Sequence, residues 1–206
     1  ALLLAGGWTL VPQVYAAVML GTVILFWFGS SSDPKHLVPS HTKFSDQLKM
    51  LKDPKVLKYC QYYSIVFGGY VALALWMTQY YVAEYGLSLQ TGALLAAAFS
   101  LPGGVLRAIG GWMSDKWGAH QVTWWVLWVS WICLFILSYP QTDMTVTTTN
   151  GPVTFHVGLN VWSFTALMFV MGMAWAFGKA SVFKYISDEF PTNIGVISGI
   201  VGLAGG

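Results

Sequence analysis

Long apolar runs alternate with polar breaks along this chain. Residues 8–29, 59–83, 88–113, 121–139 and 159–186 are each apolar and long enough to cross a bilayer as a helix. A sixth apolar stretch starts near Ile194 and runs to Gly206, where the sequence stops. Pro12 falls in the first turns of the first run, where a missing N–H costs least. The longest polar break is 30–58, and Asp53-Pro54 at its end reads as the N-cap and first turn of the next helix. Within it, Phe44 to Leu57 sets Leu48, Leu51 and Leu57 against lysines, the pattern of a short amphipathic segment on a membrane surface. Residues 140–157 differ in kind. Thr145 to Thr149, then Asn150-Gly151, then Val153 to Val157 predict a small β-hairpin outside the membrane, with Pro152 as the discordant residue.

Lysine positions orient these runs. The 30–58 break carries Lys35, Lys43, Lys49, Lys52, Lys55 and Lys58, the 114–120 break carries Lys116, and Lys184 stands at the edge of the turn after the fifth run. The 84–87 and 140–157 breaks carry none. Basic residues mark cytoplasmic loops, so the breaks alternate between the cytoplasmic and the external side, with 30–58 cytoplasmic.

Composition agrees with a membrane protein. Hydrophobic residues make up 56% of the chain and charged ones 9%, which excludes an ordinary soluble domain. Eleven Trp, ten Tyr and twelve Phe supply the aromatics that membrane interfaces use. A net charge of +2 is too small to indicate a nucleic-acid partner. Cys60 and Cys133 fall at or within apolar runs and read as packing residues. The sequence begins at Ala1 without a methionine and ends inside an apolar run, so it reads as an internal piece of a longer protein.

One arginine stands in the middle of the third run. Read as a continuous helix, Arg107 has Gly103 and Gly104 at i−4 and i−3, and Gly110 and Gly111 at i+3 and i+4, with Ser100 and Ser114 at i±7. These offsets share a face, so one stripe is nearly bare backbone around a guanidinium. Arg107 precedes Asp115 by eight residues. That is about 12 Å of helix against a half-bilayer of about 15 Å, so the arginine sits near the midplane. A charge there normally faces a wet cavity or a partner, and a planar fork of donors suits flat oxyanions. The competing reading is a structural arginine that snorkels or pairs with an acid, but no acid lies in the apolar runs.

Lys179, nine residues before Asp188, lies about 13 Å deep in the fifth run by the same arithmetic. It is either a structural lysine or a group whose charge changes. Lys184 is close enough to the interface to snorkel. Tyr63, Phe67 and Tyr70 fall at i, i+4 and i+7, which by itself is an aromatic packing stripe. In the sixth run Gly195, Gly199, Gly202 and Gly206 share a face, with Ser198 and Gly205 adjacent, a pattern that by itself means close helix packing.

Gly111-Trp112-Met113-Ser114-Asp115-Lys116-Trp117-Gly118 resembles the cytoplasmic loop motif of the major facilitator superfamily, without the basic residues that often follow. There it is a tight turn whose Asp caps and pairs at a helix contact, and Gly111, Asp115, Lys116 and Gly118 would form the gating loop. The small-residue stripe and the glycine-flanked arginine resemble the nitrate/nitrite porters of that superfamily. The resemblance implies an all-α membrane protein, a C-terminal-half fragment of the facilitator fold with six transmembrane stretches, the last truncated. Residues 1–29 would be the family's sixth helix, 30–58 the central cytoplasmic loop, and 59–206 the bundle from the seventh helix to the start of the eleventh. It implies transport of nitrate or nitrite across the cytoplasmic membrane by alternating access, nitrate assimilation as the role, no enzyme activity and no cofactor. Arg107 would bind the anion, Tyr63 would contact it, and Ser198, Gly199 and Gly202 would line the close-approach face. A second arginine would lie in the other half. Lys179 is the candidate for coupling to a co-transported proton, and the protein would be a monomer. Another small anion is the alternative substrate, and a channel is disfavoured by the loop motif. A redox-enzyme subunit is a further alternative, which the histidines oppose. His36, His41, His120 and His156 lie in polar breaks or at run ends and offer no buried bis-His pair.

Overall fold

The structure is a computed structural model and describes residues 2–30, 49–139, 141–149 and 151–206. Two compact units are distinguished, residues 1–42 and 43–206. The first holds helix α1 (Leu2–Gly29), which starts well before Trp8 and so leaves Pro12 in its interior instead of its first turns. A membrane helix tolerates such a proline when neighbouring groups satisfy the freed carbonyl. The amphipathic segment expected from Phe44 has its residues 44–48, and the histidines His36 and His41, outside the described residues.

The second unit opens with α2 (Pro54–Tyr63), capped as its sequence predicts. The Asp53 side chain accepts from the Lys55 N–H at 2.8 Å, and Pro54 fills the first turn. A π-helical turn, Ser64–Gly68, passes directly into α3 (Gly69–Tyr85), so the span of residues 54–85 is continuous but wider at its middle. Gly86, at φ 63°, ends it. Ser88 then caps α4 (Leu89–Val105) through the Thr91 N–H.

The third span is not one helix. It breaks at Leu106 (φ −77°, ψ 1°), and α5 (Arg107–Trp117) leaves α4 at 45°. Pro102 inside α4, followed by Gly103 and Gly104, supplies the cause: a missing N–H and two weak helix formers in adjacent positions. The turn expected at 114–120 contracts to Gly118 at φ 86°, because α5 runs on to Trp117 and α6 (Ala119–Leu137) follows at once.

Strands β1 (Thr142–Thr148) and β2 (Gly151–Val157) form the expected antiparallel hairpin. Pro152 is tolerated opposite Thr147 because each strand of a two-stranded sheet has a free edge. Helix α7 (Val161–Glu189), capped by Asn160, is the centre of the unit and packs on α4, α5 and α6. Helix α8 (Ile194–Gly205) packs on α2 and the π turn.

Glycine sets how closely α7 meets its neighbours. A Cβ at Gly110 would stand 2.5 Å from the Phe177 Cα, and one at Gly172 would stand 2.5 Å from the Phe99 carbonyl oxygen. The polar groups buried between helices are satisfied: Trp175 Nε1 donates to Ser130 Oγ at 2.8 Å, and the Thr123 and Ser181 hydroxyls pair at 2.8 Å.

Two ends of the bundle follow from the packing. At one end Lys55 pairs with Glu189 (2.9 Å), Asp115 with Lys184 (3.2 Å), and His120 Nδ1 with the Tyr185 hydroxyl (3.1 Å). At the other, the Tyr85 hydroxyl donates to the Leu159 carbonyl at 3.0 Å, beside the hairpin. The lysine-bearing breaks after α5 and α7 and the start of α2 therefore share one end, as the lysine alternation requires.

Candidate functional site: two cations on an aromatic cluster

Arg107 is the first residue of α5, directly after the break. Its guanidinium carbon lies 5.1 Å from the centre of the Phe183 ring, within cation–π range. The Tyr63 hydroxyl is an electrostatic neighbour of Arg107. Tyr63, 5% exposed, stacks on Phe67 at 5.0 Å and meets Phe183 edge-on at 5.2 Å. One aromatic cluster from two spans thus fixes the arginine.

Lys179 faces the same cluster from α7. It is 4% exposed, and its ammonium lies 3.5 Å from the centre of the Tyr70 ring and 5.9 Å from that of Phe67. Its electrostatic neighbour is Arg107. Among the described residues no carboxylate pairs with either cation. Tyr70 is itself tied to α4: its hydroxyl donates to the Ser100 carbonyl at 2.7 Å, and its ring fills the place where a Cβ at Gly103 would go.

The glycines around Arg107 divide into two pairs. Gly103 and Gly110 pack inward, against Tyr70 and Phe177, whereas a Cβ at Gly104 or Gly111 would meet nothing within 4 Å. Gly104 and Arg107 are exposed, and Gly111 is half-buried. In α8 the buried face is Ile197, Val201 and Gly205. Gly199 and Gly202 lie on the other side with nothing within 4 Å of an added Cβ, and Ser198 is half-buried between the faces. No described contact brings these three to Arg107.

The sixth run does reach the cluster, through Gly205, which the sequence marks only as adjacent to the stripe, and through the Ala204 carbonyl. A Cβ at Gly205 would stand 2.5 Å from the Tyr63 ring, and Ser64 Oγ donates to the Ala204 carbonyl at 2.6 Å. Phe183 was missed. Its spacing of four from Lys179 on one helix is the signal that could have found it. In the loop motif, Asp115 pairs with Lys184, which also holds Asp188 at 3.0 Å; Lys116 stacks on Trp112 at 5.1 Å; Gly118 supplies the positive φ; and Gly111 has nothing within 4 Å of an added Cβ.

A family model described as Major Facilitator Superfamily matches residues 1–206. The chain belongs to the major facilitator superfamily. Membership in that superfamily speaks against the redox-subunit reading. The chain is similar to a "Probable nitrate/nitrite antiporter NarK1" of Thermus thermophilus, at 35% identity over 207 positions that cover 98% of this chain and 46% of the relative. It is also similar to a "Probable nitrate transporter NarT" of Staphylococcus haemolyticus, at 24% identity with 97% and 47% covered. A "Nitrite extrusion protein" of Bacillus subtilis strain 168 matches at 26% identity with 98% and 46% covered. The chain spans about half the length of these relatives. No solved structure matches.

Proposed function

We propose that this chain is the half of a nitrate or nitrite transporter that supplies Arg107 to the anion site, working by alternating access in the cytoplasmic membrane with residues 30–58 on the cytoplasmic side. The observation that carries the reading is a pair of cations on an aromatic cluster, with the described carboxylates confined to helix ends and the hairpin. A site of that composition favours a small anion. The guanidinium beside Phe183 has a planar fork of donors that suits a planar oxyanion, and Tyr63 brings a hydroxyl close by. The open positions at Gly104, Gly111, Gly199 and Gly202 are where the other half of the protein would close. The relatives' names support nitrate and nitrite over other anions. Labelled-nitrate uptake in a strain lacking its own porters tests the reading. Arg107→Lys should lose most uptake while still inserting in the membrane, because a point charge does not replace a planar fork. Near-normal uptake by the lysine variant would overturn the role given to Arg107.

Lys179 is assigned to coupling. A monovalent anion entering against an inside-negative potential of about 100 mV is opposed by about 2.3 kcal/mol, so uptake needs a co-transported cation or an exchanged anion. Among the described residues no carboxylate lies at depth to carry a proton, and Lys179 is the buried group beside Arg107 able to do so. The Thermus relative's name, antiporter, favours exchange as the second reading. Internal pH in proteoliposomes separates the two. Under symport, nitrate addition acidifies the lumen in the wild type and not in Lys179→Ser. Acidification that is unchanged in the variant, or absent in both, rejects the coupling role.

A further inference from the structure

The β-hairpin has two unlike faces. The register pairs Met144 with Phe155 and Val146 with Val153, which places these four on one face, and pairs Asp143 with His156 and Thr145 with Thr154 on the other. All four apolar side chains are exposed. The polar face is tied to the bundle. His156 Nδ1 bonds Asp143 at 2.7 Å and its Nε2 bonds Gln141 at 3.0 Å. Gln141 Nε2 in turn donates to the Tyr85 hydroxyl and to the Leu159 carbonyl. The links from the hairpin to the bundle thus run from the face that carries His156, not from the apolar one.

We infer that this apolar face seats on the lipid surface, at the boundary between headgroups and acyl chains of the adjacent leaflet. The hairpin rises from two span ends over short connections, residues 138–141 and 158–160. Those ends carry Tyr139 (56% exposed) and Trp162 (72% exposed), aromatics of the kind that sit at headgroup depth. The base of the hairpin is thereby at the interface. Strands 142–148 and 151–157 contain no lysine or arginine, and their one acid is hydrogen-bonded to their one histidine, so little charge resists contact with lipid. Both strands have unpaired edges, whose N–H and C=O groups need water or headgroups, which sets the seating as shallow. Such a strap would anchor the α6–α7 connection to the bilayer.

The test uses the full-length transporter in phospholipid nanodiscs, with Cys60→Ser and Cys133→Ala, spin-labelled in turn at Phe155→Cys, Met144→Cys, Thr154→Cys and Thr145→Cys. Power-saturation measurements compare access to oxygen, which concentrates in lipid, with access to a water-soluble nickel chelate. The expected result is a several-fold higher oxygen-to-nickel ratio at 155 and 144 than at 154 and 145. Equal ratios on the two faces, or a higher nickel access at 155 and 144, would overturn the inference. Protection of 155 and 144 from both reagents would also overturn it, since the face would then be packed on the rest of the protein or on a second copy. Two labelled sites per face keep the outcome independent of either single substitution.

Discussion

Gly110 sets the distance between α5 and α7, and Gly110→Ala is the sharpest single test of the packing that positions Arg107. The added Cβ would stand 2.5 Å from the Phe177 Cα, with the Phe177 carbonyl oxygen at 3.1 Å, whereas ordinary contact begins at 3.4 Å. Both obstacles are main-chain atoms, so no rotamer change relieves the clash and the helices must part by about 0.9 Å. Helix α7 has no room to retreat at this level, because a Cβ at the next residue, Gly178, would already lie 2.8 Å from Val66 and 2.9 Å from Val126. Helix α5 must therefore move, and Arg107 is one turn away on it. Overpacking of this kind costs about 1–3 kcal/mol, and a backbone clash belongs at the upper end. Alanine's better helix propensity returns up to about 1 kcal/mol, leaving a net loss of about 2 kcal/mol. Gly111→Ala is the built-in comparison, since nothing lies within 4 Å of its added Cβ in this half.

The assay is thermal unfolding of the purified full-length protein in detergent, followed by nitrate affinity. Gly110→Ala should melt several degrees below Gly111→Ala and bind nitrate more weakly, as the guanidinium shifts off Phe183. If the two variants melt together, the α5–α7 approach is looser than the geometry states, and the argument that packing fixes Arg107 fails.

Three further outcomes are expected. Gly199→Leu and Gly202→Leu should leave melting of the protein near wild type yet block nitrate transport, because their face is open in this half; normal transport by both would place the closing interface elsewhere. Trp175→Phe should cost about 1 kcal/mol of stability by removing the Nε1–Ser130 bond, with little further loss because Ser130 still donates to the Val126 carbonyl; unfolding measurements check it, and a loss several times larger would mean that the indole ring itself fills the core. Asp115→Asn should leave the melting temperature near wild type, since the pair is partly exposed and Lys184 keeps Asp188; a large drop would show that Asp188 does not take over.

Run lengths, lysine alternation and the threonine-rich hairpin were all legible because each is written in local pattern. The break at Leu106 was not. Pro102-Gly103-Gly104 flags a weak helix, but whether such a helix bends depends on what it packs against, and here Gly103 takes the Tyr70 ring. The site was legible in its charges and less so in its supports. Arg107, Tyr63 and Lys179 stand out as polar residues in apolar runs. Phe183, Gly205 and Ser64 do not, because an aromatic, a glycine and a serine are ordinary in membrane helices and acquire meaning only from the contact. The Gly199–Gly202 stripe shows the converse: a clear pattern beside which an added Cβ meets nothing within 4 Å.

Charge balance around the cluster gives a last expectation. Arg107 and Lys179 carry two positive charges when both are protonated, and one nitrate neutralises one of them. Each bound nitrate therefore makes a protonated Lys179 less costly, and by reciprocity a protonated Lys179 makes nitrate bind more tightly. Nitrate affinity should fall as pH rises through the range in which Lys179 loses its proton, and it should be flat across that range in Lys179→Ser. Cys60 and Cys133, as Ser and Ala, should leave the profile unchanged. Equilibrium nitrate binding to the detergent-solubilised full-length protein, measured without a membrane potential, isolates this linkage from transport. A profile that is equally steep in wild type and Lys179→Ser would assign the titrating group to the other half of the protein and leave Lys179 as a structural cation held by Tyr70.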